Sequence, residues 1–260
     1  MQTVRSKDGT TIAFDKFGHG QSIILVGGAL NNRNTPPVGK PLAELLSANF
    51  TVFAYDRRGR GASGDTSPYA VEREIEDLQA LILEAGGAAN VFGLSSGAIL
   101  ALEAAAYGLN IKKLALFEPP FNVVDSRPRI SFAPHVNDLI ASGRRGDALE
   151  FFMTKVVEIP SEVVAQFRNA PMWPSLEGLA HTLVYDLTIV GYGSLPTERI
   201  NTILAPALLI VGGTSPSWMR QAGKAVMDAL PHGQVRILEG QNHSAGPEAL
   251  APVLQEFFED

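Results

Sequence analysis

Residues 89–108, ANVFGLSSGAILALEAAAYG, confine the fold more than any other stretch of this chain. A short apolar run enters a turn of small residues and leaves as an alanine-rich segment. A brief, nearly continuous apolar run reads as a strand buried on both faces, and alanine favours helix. A strand that passes directly into a helix belongs to a mostly parallel sheet with helices covering both faces. The turn itself, Gly93-Leu94-Ser95-Ser96-Gly97, has the pattern G-x-S-x-G. Its small flanking residues let the turn be tight, and only the central side chain, Ser95, is lifted above the sheet edge. Ser96 would instead offer its backbone N–H, at a helix N-terminus where partial positive charge collects. The alternative for Ser95 is an ordinary helix N-cap.

The rhythm of the rest of the chain agrees. TTIAFDKFG, SIILVGG and FTVFAYD read as strands before the turn. SPYAVEREIEDLQALILEAGG carries Val71, Ile75, Leu78 and Ile82 on one face of a surface helix. IKKLALFEPP is a buried strand stopped by two prolines. Residues 121–204 then lose the strand rhythm and hold helical pieces only. It resumes with PALLIVGG, a helix at SWMRQAGKAVMDAL, the strand QVRILEG and a last helix, PEALAPVLQEFFED. The expected division is therefore a core of residues 1–120 and 205–260 with a helical cap inserted at 121–204.

A serine hydroxyl attacks only if a base takes its proton. Of the five histidines, His19 and His232 sit in glycine turns, and His135 and His181 fall in the helical insertion. His243, in LEGQNHSAGPEAL, lies just beyond the last strand, where a loop can bend back over the sheet edge toward Ser95. The glycine-ended strand ILVGGAL lets backbone approach a bound group closely, and Ala29 is the candidate for a second N–H beside Ser95. Gly59, Gly61 and Gly64 spell G-x-G-x-x-G, but they open no helix and no acid-ended strand follows about twenty residues later. Dinucleotide binding is thereby disfavoured, and Asp56 and Arg57 read as organisers of a turn.

Composition excludes other classes. A net charge of −6 without a basic run argues against nucleic acid. No window holds 18 uninterrupted apolar residues, so no membrane span is expected. The absence of cysteine removes disulfides and thiolate chemistry. MQTVRSKDGTTIAF lacks the apolar centre of a signal peptide, which makes a cytoplasmic location the default expectation. The sequence leaves the oligomeric state open.

Together ILVGGAL, YDRRGRGASG, GLSSGA and EGQNHS, spread over nearly the whole chain, resemble the α/β-hydrolase superfamily. The resemblance implies the α/β-hydrolase fold with a helical cap, a Ser-His-acid triad, and no cofactor or metal. One departure is plain. Most relatives place an aspartate just after the strand that here reads LLIVGG, whereas this chain has Thr214, Ser215 and Pro216 there and no carboxylate until Asp228. Glu118 ends the strand after the turn helix, 23 residues beyond Ser95. Haloalkane dehalogenases and zearalenone-type lactonases carry their acid at the end of that strand, and the lactonases are also similar at the paired serine. The alternative for Glu118 is a strand-end residue tied into the EPPF turn.

The leading expectation is a serine hydrolase acting on a small-molecule ester or lactone, with Ser95 as nucleophile, His243 as base and Glu118 as acid. The N–H groups of Ala29 and Ser96 would form the oxyanion hole. Phe121, Phe132, Phe151, Phe152, Trp173 and Tyr185 make an apolar or aromatic substrate plausible, with Phe121, Phe152, Trp173 and Tyr185 as candidate pocket residues; the alternative for each is core packing. The rival enzyme is a cofactor-free haloperoxidase or perhydrolase of the same fold. The rival from another class is a ligand-binding protein on a hydrolase scaffold.

Overall fold

A computed structural model describes residues 1–123 and 131–259. In chain order the elements are β1 (Gln2–Arg5), β2 (Thr11–Phe17), β3 (Gln21–Val26), α1 (Lys40–Leu46), β4 (Phe50–Tyr55), α2 (Val71–Glu84), β5 (Ala89–Leu94), α3 (Ser96–Ala106) and β6 (Ile111–Phe117). There follow α4 (Ala133–Ala141), α5 (Arg145–Phe151), a π-helical turn (Phe152–Val156), α6 (Ser161–Arg168), α7 (Trp173–Leu179), α8 (Leu183–Val190) and α9 (Thr197–Ile200). The chain ends with β7 (Ala207–Gly212), α10 (Ser217–Ala229), β8 (Gly233–Leu238) and α11 (Pro247–Glu259). Between β6 and β7 the described residues form helices and turns and no strand.

Eight strands make one sheet in the order β1-β2-β4-β3-β5-β6-β7-β8. Only the β1–β2 and β2–β4 pairings are antiparallel. The chain therefore forms the mostly parallel, helix-flanked sheet of the α/β-hydrolase fold that its rhythm implied; β1 and α1 are elements that rhythm did not reveal. Successive side chains of a strand point to opposite faces, and both faces are filled here. Ile24, Val26 and Val91 pack with Leu78 of α2, Ala101 of α3 and Val226 of α10. Ile23, Leu25 and Phe92 pack on the other face with Leu42 of α1 and Leu254 and Phe258 of α11. The buried members of a third cluster all come from the helical segment, around Leu149, Val164, Trp173 and Leu183, with Ala29 and Leu30 packed against them. Among the described residues no helix is long and apolar enough to cross a membrane.

The register matters for the site. Val26 pairs with Gly93, Leu94 with Phe117, and Phe117 with Ile210. The carboxyl ends of β3, β5, β6 and β7 thus lie side by side at one sheet edge, where parallel α/β sheets hold their ligands.

Candidate active site

Ser95 stands at the junction of β5 and α3 with φ +55° and ψ −123°. A non-glycine residue rarely occupies this strained region, and the strain turns its side chain away from the helix it precedes. Two glycines make the junction possible. A β-carbon at Gly93 would meet the Gly97 oxygen at 2.5 Å, and one at Gly97 would meet the Val26 oxygen at 2.4 Å. The Ser95 N–H donates to the Phe117 carbonyl at 2.9 Å, which fastens the turn to β6.

Glu118, the next residue along β6, is also at positive φ (+47°) and is wholly buried. Its N–H donates to the Ile210 carbonyl at 3.2 Å, and its Oε1 accepts the Gly212 N–H at 2.8 Å. Its carboxylate is thereby carried across the end of β7. There Oε2 lies 2.7 Å from Nδ1 of His243. A carboxylate only accepts, so Nδ1 carries the proton and Nε2 is left as the basic nitrogen. Phe117 stacks on the imidazole with centroids 6.0 Å apart. Ser215, where most relatives place their acid, is buried with a hydroxyl that has no hydrogen-bond partner.

Ser95 and His243 line one cavity of about 90 Å³. Ala29 and Ser96 line it too, and neither of their N–H groups goes to a backbone carbonyl among the described residues. Two such amides at one cavity with Ser95 could receive developing negative charge there. The remaining wall is mainly apolar: Pro120, Phe152, Val156, Leu187, Val190, Trp218 and Met219. A second cavity of about 120 Å³ shares Pro120, Val156, Leu187, Val190 and Trp218 with the first and reaches Phe132.

Of the aromatic residues expected at the pocket, Phe152 lines the cavity. Phe121 is instead buried in the core cluster that also holds Ala98 and Ile99 of α3. Trp173 is buried in the cluster internal to the helical segment, its Nε1 donating to Glu177 at 2.9 Å. Tyr185 stacks on Tyr69 at 4.0 Å and donates its hydroxyl to Asp65, on the side of α8 away from the cavity-lining Leu187. Sequence reasoning missed Trp218 and Asp186. Trp218 opens α10 without any motif to mark it. Asp186, on α8, lines the cavity although it is only 2% exposed. Arg57, read from sequence as a turn organiser, is one of its partners: Nη1 donates to Asp186 Oδ1 at 2.7 Å, and two further bonds go to Glu74 at 2.7 and 2.6 Å. Burial alone would raise the Asp186 pKa, but Arg60, Arg57 and the Ser96 hydroxyl outweigh it and hold the carboxyl below its usual range.

The family described as Alpha/beta hydrolase matches residues 19–253. The structure of an alpha/beta hydrolase from Sphaerobacter thermophilus is 53% identical, covers 99% of this chain and 100% of its own, and superposes with a TM-score of 0.92. A Mycobacterium tuberculosis protein named as a non-heme bromoperoxidase, BpoC, is 27% identical over 95% of this chain and 97% of its own length. An esterase from Exiguobacterium antarcticum, 18% identical, shares the fold over 100% of this chain and 98% of its own, with a TM-score of 0.75.

Proposed function

The chain belongs to the alpha/beta hydrolase family, and from that premise we propose that it is a cofactor-free serine hydrolase of carboxylic esters or lactones. The observation that carries this reading is the 2.7 Å contact between Glu118 and His243 Nδ1, at a cavity that also holds Ser95 and two uncommitted amides. Ser95 Oγ attacks the substrate carbonyl carbon while His243 Nε2 takes its proton. Glu118 holds the imidazole in its tautomer and stabilises the imidazolium. The carbonyl oxygen, now negative, accepts the Ala29 and Ser96 N–H groups. Collapse expels the alcohol, which takes the proton back from His243, and leaves an acyl-enzyme. Water, activated by the same histidine, then releases the acid. Residues 121–204 serve as the lid over the core formed by 1–120 and 205–260. The apolar wall and the cavity's small size favour a short, uncharged acyl group.

A fluorophosphonate probe tests the nucleophile. We expect one adduct, on Ser95, that is lost in Ser95→Ala and kept in Ser96→Ala. Labelling that survives Ser95→Ala would end this reading, and no labelling at all would favour a ligand-binding scaffold. The likeness to BpoC favours a second reading, in which hydrogen peroxide replaces water at the acyl-enzyme and yields a peracid. Incubation with acetate, peroxide and bromide, followed by bromination of a phenolic dye, separates the two. Dye bromination abolished by Ser95→Ala supports perhydrolysis, and ester turnover without it supports the hydrolase.

A further inference from the structure

Around Asp186 the structure holds an ion cluster that the triad does not use. Arg57, Arg60, Glu74 and Asp186 are each no more than 2% exposed. Two guanidinium groups and two carboxylates make the cluster neutral, as its burial requires. Its outer contacts are what set it apart. Arg60 Nη1 donates to the Gly28 carbonyl at 2.5 Å, and Arg57 Nη1 donates to the Gly27 carbonyl at 3.2 Å. Arg60 Nη2 donates to Asp186 Oδ2 at 2.6 Å. Ser96 Oγ donates to Asp186 Oδ1 at 2.7 Å.

The Gly28 carbonyl and the Ala29 N–H belong to one peptide unit. A trans peptide is planar, and its C=O and N–H point in opposite directions. Pinning the carbonyl therefore aims the amide, and a cation on the oxygen polarises the unit and strengthens the N–H as a donor. Ser96, the residue whose hydroxyl the same carboxylate holds, supplies the other amide. One side chain on α8 thus reaches both halves of the oxyanion hole, one through Arg60 and one directly. We propose that Asp186 is a positioning residue for the oxyanion hole, so that the two amide donors are set only when helix α8 is seated on the core. The proposal rests on the serine-hydrolase reading above.

Asn at 186 keeps the shape but has one acceptor oxygen, so it cannot serve both Arg60 and the pair Arg57–Ser96. The bland alternative is a cluster that merely fastens the helical segment. Glu74 discriminates, because Glu74→Gln makes the same charge change in the same cluster without touching Gly28 or Ser96. The test measures p-nitrophenyl acetate hydrolysis, melting temperature, and inhibition by an aryl trifluoromethyl ketone, which forms a tetrahedral oxyanion on the nucleophile. We expect Asp186→Asn to lower kcat about 10- to 100-fold, somewhat less than outright loss of a donor, with KM changed less than about threefold. Ketone inhibition should weaken by a similar factor. Glu74→Gln should lower the melting temperature with kcat within about threefold of wild type. If Asp186→Asn does not fold, Arg60→Lys, which keeps the charge but loses the fork that spans Gly28 and Asp186, carries the same expectations. Equal effects of Asp186→Asn and Glu74→Gln on kcat, or unchanged ketone inhibition, would overturn the proposal. Absence of fluorophosphonate labelling at Ser95 in the wild type would instead remove its premise.

Discussion

Glu118 shows how much a single carboxylate has to do here. Both of its oxygens are engaged, one by the Gly212 N–H and one by His243. Glutamine has one acceptor oxygen and no charge, so Glu118→Gln must either give up one of these bonds or hold His243 in the opposite tautomer, and it can no longer stabilise an imidazolium. We expect kcat to fall about 10²- to 10⁴-fold, with the melting temperature nearly kept, while Ser215→Ala changes kcat less than about threefold. A loss below tenfold in Glu118→Gln would place the acid elsewhere. That Ser95, His243 and Glu118 come to one sheet edge is legible in sequence, because each lies at or just beyond the end of a strand that its apolar run reveals; the choice of Glu118 as candidate acid rests also on the family resemblance. Asp186 was not legible. An aspartate on a helix is usually solvated, and the arginine that buries it lies 129 positions away in the chain. No local pattern carries a pairing across that separation, and nothing in the G-x-G-x-x-G string around Arg60 marks its cations.

At the scale of elements, the helical segment has two kinds of apolar residue, and periodicity cannot tell them apart. Trp173 belongs to a cluster internal to the segment and is 4% exposed. Phe152 belongs to the same cluster, but it stands where α5 passes into a π-helical turn, and it and Val156 of that turn also line the cavity. That π turn has no sequence signature, so the sequence alone does not distinguish Phe152 from Trp173. Their substitutions should diverge. Trp173→Ala removes a buried indole and its bond to Glu177, and should destabilise by about 3–5 kcal/mol, read as a lowered urea midpoint, with substrate ranking unchanged. Trp218→Ala, at a partly exposed site shared by both cavities, should cost less stability than Trp173→Ala. It should raise kcat/KM for p-nitrophenyl octanoate relative to acetate by about tenfold, because it opens the first cavity into the second. If the octanoate-to-acetate ratio is the same in Trp218→Ala as in wild type, the two cavities do not act as one acyl site.

Across the whole molecule, the segment YDRRGRG acts as a hub that the layers share. Asp56 accepts the Arg33 N–H and the Ala62 N–H, Arg57 and Arg60 reach α8, and Arg58 joins the β1–β2 turn to α2 through Asp8 and Asp77. Charge pairs of this kind make stability depend on pH, and the signs differ between them. At Asp77 burial prevails over Arg58 and raises the pKa, so acid does not weaken the fold through that group. At Asp8 burial also acts upward, but the Thr10 amide and hydroxyl and the Arg58 guanidinium outweigh it and hold the carboxyl at about 2, below its ordinary 3.8. A group whose folded pKa is depressed contributes stability that is complete above the ordinary value and is lost as pH falls through the folded one. Asp8→Asn keeps an oxygen for the Thr10 amide and gives up the charge together with the bond from Arg58. The full shift would correspond to about 2 kcal/mol, and water at this partly exposed pair screens it, so about 1 kcal/mol of destabilisation is expected at pH 7. Urea unfolding at a series of pH values checks the sign. The gap between wild type and Asp8→Asn should be constant from pH 7 down to about 5, narrow between about pH 4 and pH 2, and close at the acid end. A gap undiminished at pH 2 would mean that Asp8 acts through turn geometry and not through its charge.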